Sequence, residues 1–521
     1  MVSIQQVSGA INDRSLNNII VILVAVILFL VVLYYKMVNR RKTLLANRIP
    51  GPDGIFFSLP VSIGAPEKLW LHFFKISIKY KNTLSKLWML DHLLIFPKNP
   101  EEIEAVVTNP DMFLKPKEYN MLNESILGDG IFSNKKFDEW KKNRKMVAVG
   151  LKYSMLKSFI PIFHEEAKFL SQVLYEKREI NSDDCEISSA IGMATMEIIG
   201  RAALGVKLNA QKNAKHVFVE NFRVIQKVWA YRVSYPWFLD PSLFKLSSIK
   251  RKHDISQSSI YDFVDDLIHR KYAELKDNIN SQEEPDEECI GIKYKSYIEI
   301  LLENGHQMSL KQLRHEVITI MVGGHETTAM AIPCIIFMLA HHQDVQNKVL
   351  EELMIIFSSG DPDRQPTLDD LQKMDYLERV IKETLRLYAV VPMFGRSVEK
   401  ETMIGDYLIP AGSTFMIFPP LIHLNAEFYP DPEKFNPDNF SPEACSSRHP
   451  YSFISFSAGY RNCPGIRYAM LSMKTVISTL VRSYRFRPSD KCPKPENLNL
   501  MFAFTKKFVD GGVHVKLEAR R

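Results

Sequence analysis

The chain has 521 residues, 46% of them hydrophobic, which is ample for a large buried core. Its 66 Lys plus Arg against 60 Asp plus Glu leave it only mildly basic, and no basic stripe interleaves with aromatics, so a nucleic-acid partner is not expected. Six cysteines (Cys185, Cys289, Cys334, Cys445, Cys463 and Cys492) form no CxxC pair and no zinc or disulfide framework, which fits reduced thiols in a cytosol-facing protein.

In chain order, the first element is Ile19 to Tyr35, seventeen uncharged, apolar residues that just suffice to cross a hydrocarbon core as a helix. Lys36, Arg40, Arg41, Lys42 and Arg48 gather on its carboxyl side, against Asp13 and Arg14 on the other. Positive charge stays cytoplasmic, so the bulk of the chain is expected on the cytosolic side of a single-pass anchor. A cleaved signal peptide would want a shorter apolar run and a small-x-small site, whereas Tyr34, Tyr35 and Lys36 follow here. A buried soluble helix is the less favoured reading, because the run is apolar on every face. The expected organisation is a short luminal segment over 1–15, an anchor over 16–36, a basic, Pro-rich hinge over 37–64, and one large globular domain over 65–521. Within the hinge, Arg48-Ile49-Pro50-Gly51-Pro52 ends any helix, because two prolines block its propagation.

Beyond the hinge, apolar residues recur at helical spacing over 155–178, 188–204, 212–230, 255–275, 310–340, 344–357 and 376–388. Strand-like pieces fall at 84–97, 397–418 and 499–516. Ser281 to Glu288 is acidic and broken by Pro285, a solvated loop between helices. The fold class expected is mainly α with a small β subdomain.

The segment Phe456-Ser-Ala-Gly459-Tyr-Arg461-Asn-Cys463-Pro464-Gly465 opens a helical pattern running through Met470 and Lys474. A helix start supplies amide hydrogens and the positive end of a dipole, both of which favour a thiolate. Pro464 suits a first helical position, where its missing amide hydrogen is tolerated. Gly459 and Gly465 let backbone approach a flat group, and Arg461 offers a cation for a carboxylate. This FxxGxRxCxG pattern resembles the haem-binding loop of the cytochrome P450 family. The resemblance implies a P450-like fold and haem b held by a Cys463 thiolate as the iron ligand, with Phe456, Arg461 and Gly465 contacting the cofactor.

Glu316-Val-Ile-Thr-Ile-Met-Val-Gly323-Gly324-His325-Glu326-Thr327-Thr328 continues as an apolar helix to about Leu339. Each glycine inside a helix costs about 1 kcal/mol relative to Ala, and room for a macrocycle and oxygen would compensate. Thr327 can bond back to the carbonyl of Gly323, and a carboxylate beside a hydroxyl can relay protons. The block is similar to the family's oxygen-helix motif, with Glu326 and Thr327 as the acid and hydroxyl. Its longer form, EVxTxMxxGHxTT, looks like the insect branch of the family-four clan. Many members of that clan carry a glutamate at the position of Gly323 that can esterify a haem methyl. Glycine cannot, so haem without an ester link is expected. Pro333 should remove a helical hydrogen bond and clash near Ala329, kinking the helix.

In IKETLRLY, Glu383 and Arg386 share a helical face at i and i+3 and match the family's buried ExxR pair. In Phe435-Asn-Pro437-Asp-Asn439-Phe440, Asn439 stands where the family commonly has an arginine, and its amide can still hydrogen-bond. Trp140 and Arg144 match the family's WxxxR helix, which binds a haem propionate, and Arg396 is a further propionate contact by position. Met321, Gly323, Val391, Phe394, Phe502 and Phe504 fall where the family lines its substrate pocket, suggesting an apolar substrate. Tyr235-Pro236-Trp237-Phe238-Leu239 is a candidate to dip into the lipid surface.

No GxGxxG loop or flavin fingerprint occurs, so the chain cannot itself collect electrons from a nicotinamide. The resemblance implies electrons from NADPH through a partner flavoprotein, NADPH-cytochrome P450 reductase, with cytochrome b5 as a candidate second donor. Docking is expected on a basic face of Lys141, Lys142, Lys145 and Lys474. The reading is thus an endoplasmic-reticulum monooxygenase acting on a lipophilic fatty acid, hormone or xenobiotic. The competing readings are a reductase-independent haem-thiolate isomerase or dehydratase, against which Glu326 and Thr327 argue, and a haem-binding protein without turnover.

Overall fold

A computed structural model describes residues 40–52, 83–89, 91–180, 184–213, 215–280, 295–304, 308–492 and 511–520, with scattered residues between 22 and 80 and between 494 and 508. Most of the expected anchor and the acidic segment 281–288 lie outside the described residues. Ile22, Leu23, Val26 and Leu30, which are described, are helical with exposed apolar side chains.

The main helices are α1 (Arg40–Ala46), α2 (Pro100–Val107), α3 (Phe137–Gly150), α4 (Tyr153–Ile180), α5 (Ser188–Leu204), α6 (Val217–Ser234), α7 (Lys250–Asn280), α8 (Tyr297–Asn304), α9 (Leu310–His341), α10 (Gln343–Ile356), α11 (Leu368–Lys373), α12 (Asp375–Leu387) and α13 (Ile466–Ser483). Sequence periodicity places α5, α9, α10 and α12 to within a residue or two. The central helix, α9, begins at a capping box in which Ser309 Oγ accepts from the Gln312 amide and Gln312 Oε1 accepts from the Ser309 amide. It stays helical through Pro333. Its length and apolar character would suit a bilayer, but most of it is buried among the other helices, chiefly against α5.

One sheet runs β1 (Ser85–Met89), β2 (His92–Phe96), β7 (Ser413–Ile417), β4 (Phe394–Val398) in that spatial order, antiparallel except where β2 meets β7. A second sheet joins β3 (Asp184–Glu186), β11 (His514–Ala519) and β8 (Tyr484–Pro488). Two hairpins complete the strands, β5 (Thr402–Ile404) with β6 (Tyr407–Ile409) and β9 (Leu500–Phe502) with β10 (Lys506–Phe508). Sequence periodicity missed β3 and β8. Three-residue β3 is too short to show alternation, and β8 follows α13 without a break.

The first sheet also reaches back into the hinge. Ala46 and Ile49 are buried in its apolar cluster, and the Lys86 amide donates to Pro50 O at 2.8 Å. The packed unit therefore begins before residue 65. Gly51, at φ 150°, is needed because a Cβ there would collide with the backbone of Lys86.

Candidate functional site

The site is built where α9 passes the loop before α13. A predominantly apolar cavity opens between them, and Cys463 lies on its wall together with Phe456 and Gly465. Gly323, Glu326 and Thr327 of α9 line the same cavity, as do Trp140 and Arg144 of α3, Arg461, Val391 and Phe394. Residues scattered over more than three hundred positions of sequence are thus brought to one space.

Cys463 is held by its backbone, its amide donating to Phe456 O at 3.0 Å. Burial pushes its thiol above the ordinary value, while the Gly465 amide and the charge of Arg144 act to lower it. Helix α13 starts at Ile466 with Gly465 as its cap, so Pro464 stands before the helix and not at its first position. The glycines also divide their work differently from the sequence expectation. Gly459, at φ 66°, is required because a Cβ would overlap the carbonyl of Val107, whereas Gly465 faces open space beside Cys463.

The two helical glycines of α9 have separate reasons. A Cβ on Gly323 would meet nothing within 4 Å, so this residue leaves the cavity open. A Cβ on Gly324 would collide with Ile199, so this residue lets α5 approach. Gly323→Ala should therefore raise stability by about 1 kcal/mol through helix propensity alone. Gly324→Ala should melt lower, because overpacking of about 1–3 kcal/mol outweighs that gain. Thermal unfolding of the two variants side by side checks both signs.

Thr327 Oγ1 donates to Gly323 O at 2.8 Å, the back-bond expected from sequence. Glu326 is buried, accepting from Thr505 Oγ1 at 2.6 Å and from Lys507 Nζ. Burial alone would raise this carboxyl, but Lys507, His325 and Thr505 outweigh it and hold it below its ordinary value. Sequence reading missed both partners because they come from the β9–β10 segment, about 180 residues away.

A cluster of cations closes another edge. Arg461 is fixed by donating to the carbonyls of Phe113, Ile131 and Asn134, and its guanidinium lies 4.8 Å from the Trp140 ring. Arg144 donates to Asn462 O at 2.8 Å and Oδ1 at 2.6 Å. Arg396 is not itself on the cavity wall; it is buried behind it, donating to Ser457 Oγ and Ala458 O. Lys115, which the sequence reading did not single out, is buried on the wall, 4.7 Å from the Phe132 ring. Among the described residues no carboxylate pairs with Lys115, Arg396 or Arg461. Burial and mutual repulsion push Lys115 well below its ordinary value, while burial brings Arg396 to about 10 and Arg461 to about 9. Such a set calls for an anion.

Other expectations are redirected. Met321 is buried on a face of α9 away from the cavity, where Ile320 and Val322 are its lining neighbours. Lys474 is buried, donating to Leu371 O and pairing with Glu378, so it is no part of an exposed basic face; Lys141, Lys142 and Lys145 are exposed. Phe504 and the side chain of Phe502 lie outside the described residues.

Behind the cysteine loop sits an ionic knot. Arg386 donates to both oxygens of Glu383, at 2.8 and 2.7 Å, and to the carbonyls of His423, Pro432 and Lys434. Glu383 Oε1 also accepts from the Asn436 amide and from Asn439 Nδ2 at 3.1 Å, so the asparagine bonds where it was expected to.

The residues present fit a flat, iron-bearing macrocycle with acidic side arms: a thiol on the cavity wall, a Gly323 whose Cβ would meet nothing within 4 Å, and buried cations with no carboxylate partner among the described residues. The Cytochrome P450 family model matches residues 49–509. Cytochrome P450 4c21 of Blattella germanica is 32% identical over 460 residues, covering 87% of this chain and 90% of that protein. Cytochrome P450 4c3 of Drosophila melanogaster is 30% identical over 508 residues, 92% of each chain, and human Cytochrome P450 4V2 is 31% identical over 421 residues, 78% of each. On this fold, this cavity and these matches, the chain belongs to the cytochrome P450 family and is a haem-thiolate monooxygenase.

Proposed function

We propose that the chain is a microsomal monooxygenase, anchored by residues 16–36 in the endoplasmic-reticulum membrane with its catalytic domain in the cytosol, that hydroxylates or oxidises a lipophilic substrate of the fatty-acid class. The observation that carries this reading is Cys463 on the wall of a predominantly apolar cavity, beside Lys115 and Arg461, with which no carboxylate pairs among the described residues. In this reading Cys463 ligates haem iron, Lys115, Arg144, Trp140 and Arg461 hold the propionates, and Arg396 adds positive charge from behind the wall. Bound haem supplies oxygen activation. Gly323 offers no carboxylate, so the macrocycle carries no ester link to α9.

The remaining work falls to the chain. Val391 and Phe394 orient an apolar substrate and exclude water. Thr327 holds a proton at Oγ1, parked on the Gly323 carbonyl. Glu326 holds a carboxylate between that hydroxyl's turn of helix and Lys507, whose side chain reaches solvent, and this gives protons a route inward. Electrons come from NADPH through NADPH-cytochrome P450 reductase, with cytochrome b5 as a second donor, docking at Lys141, Lys142 and Lys145. Tyr231, Tyr235 and Phe238 form an aromatic cluster next to exposed Leu243 and Leu246, a surface suited to resting on lipid.

The test is a single preparation. Reduced protein with carbon monoxide should show the red-shifted Soret band of a thiolate ligand, and Cys463→Ser should abolish it. Reductase, NADPH and saturated fatty acids of graded length should then give hydroxylated product. A thiolate signature without product would favour the non-turnover reading, and conversion of an added fatty-acid hydroperoxide without reductase or NADPH would favour the isomerase or dehydratase.

A further inference from the structure

Glu316 opens the oxygen-helix motif, yet nothing in the oxygen chemistry uses it. It is 1% exposed. Its carboxylate is met from three other elements: Asn143 Nδ2 of α3 donates to Oε1 at 2.6 Å, the Ile131 amide faces it from the loop before α3, and Tyr297 Oη of α8 lies 3.5 Å from Oε2. Two of these contacts lead directly to the cysteine loop. Asn143 is followed by Arg144, which grips Asn462, the neighbour of Cys463. Ile131, whose amide faces Glu316, offers its carbonyl to Arg461 at 3.2 Å. Arg144, whose charge acts on Cys463, and Arg461, two residues before it, are therefore both set from one buried acid.

We propose that Glu316 is a positioning residue that registers α3 and the Ile131 loop against α9, and through Arg144 and Arg461 fixes the surroundings of Cys463. The inference rests on the haem-thiolate reading above. The neighbouring motif residues support a clamp here. His315 Nδ1 accepts from the Asp129 amide at 3.3 Å and fills the space that a Cβ on Gly128 would need, while Thr319 Oγ1 fills the space beside Gly130. Loop 128–134 is thus held by three residues of α9 on one side and by Arg461 on the other. Burial raises Glu316 to about 7, against the hydrogen bonds of Ile131, Asn143 and Tyr297. Tyr297 is the titratable side chain bonded to it; Asp129 and His315 lie one step away, and Lys142 of α3 is exposed. A protonated Glu316 could still accept from Asn143 through Oε1 while Oε2 donates to Tyr297, so the register survives titration and needs an acceptor, not a charge.

The experiment uses full-length protein reconstituted with haem and compares Glu316→Gln, Glu316→Leu, Asn143→Leu and the Asn143→Leu/Glu316→Leu double variant. Haem transfer to an acceptor globin and the carbon monoxide spectrum are read together. Glu316→Leu should lose haem roughly tenfold faster, the size of one net hydrogen bond, and lose part of its thiolate signature. Asn143→Leu should match it, the double variant should be no worse than either single one, and Glu316→Gln should stay within about twofold of the parent because its amide oxygen still accepts. Normal haem retention in Glu316→Leu or in Asn143→Leu would overturn the proposal. So would a Gln variant as poor as Leu, or strictly additive effects. The apolar double variant removes the stranded polar group, which keeps the test usable if a single variant folds poorly. A parent chain that took up no haem at all would overturn the family-level reading itself, and is told apart by its failure before any substitution.

Discussion

Glu383→Ala will lower the unfolding free energy by about 3–5 kcal/mol, because it strands a buried guanidinium. Both partners of the pair are fully buried, so water cannot replace the lost carboxylate. Arg386 would keep its bonds to the carbonyls of His423, Pro432 and Lys434 but no longer have a counter-charge. The damage should reach the cysteine loop. His423 receives the Ile454 amide on Nε2 at 3.0 Å and faces the Arg386 carbonyl through Nδ1, while Ser455 Oγ donates to Leu385 O. Residues 454 and 455 are thus tied to the ExxR helix a few positions before Cys463. Urea unfolding of the variant, with haem retention measured alongside, checks both effects. Asn439→Ala serves as the mild control, removing one donor to Glu383 and costing about 1 kcal/mol. A Glu383→Ala protein that unfolds within about 1 kcal/mol of the parent would show the knot to be dispensable.

What was legible in the sequence follows from how local each signal is. α5, α9 and α12 declare themselves because their apolar spacing is contained in the segment. The ExxR pair and the Thr327 back-bond are legible for the same reason, being formed within one turn. Met321 could not be phased, because α9 is apolar almost all round and periodicity does not say which face meets the cavity. Gly324 and Gly459 were read as making room for a cofactor when their neighbours are Ile199 and Val107, which only the fold brings near. Lys115 has no local pattern at all. A lysine between Leu114 and Pro116 reads as surface, and the lone hint is its apolar left flank, Met112-Phe113-Leu114. Lys474 misled in the opposite sense, since a charge on a helix reads as solvated unless its partner, Glu378 on α12, is known.

The pair between Glu326 and Lys507 yields the second large effect, and its sign depends on pH. Lys507→Met leaves a buried carboxylate with Thr505 as its remaining short-range donor. In the native chain Glu326 titrates below its ordinary value, so it contributes stability above the unfolded carboxyl range and loses it as pH falls through its folded value. Without the ammonium, burial prevails and the folded value rises. The carboxyl then costs stability increasingly as pH rises from the unfolded value through the new folded one. The gap between variant and parent should therefore be widest at neutral pH and above, about 1–3 kcal/mol, and shrink toward about pH 4. The lower half of that range is favoured because the Lys507 side chain is 28% exposed and water screens the pair. Thermal unfolding across this range checks the slope, and a gap independent of pH would detach Lys507 from the acid. Turnover adds a second reading of the same bond. If Lys507 is the solvent end of the proton route, the methionine variant should form less product per NADPH consumed, and Lys507→Arg should restore most of it. Restoration of coupling by a different cation would place the function in the charge at the cavity edge and not in the packing of the β9–β10 hairpin.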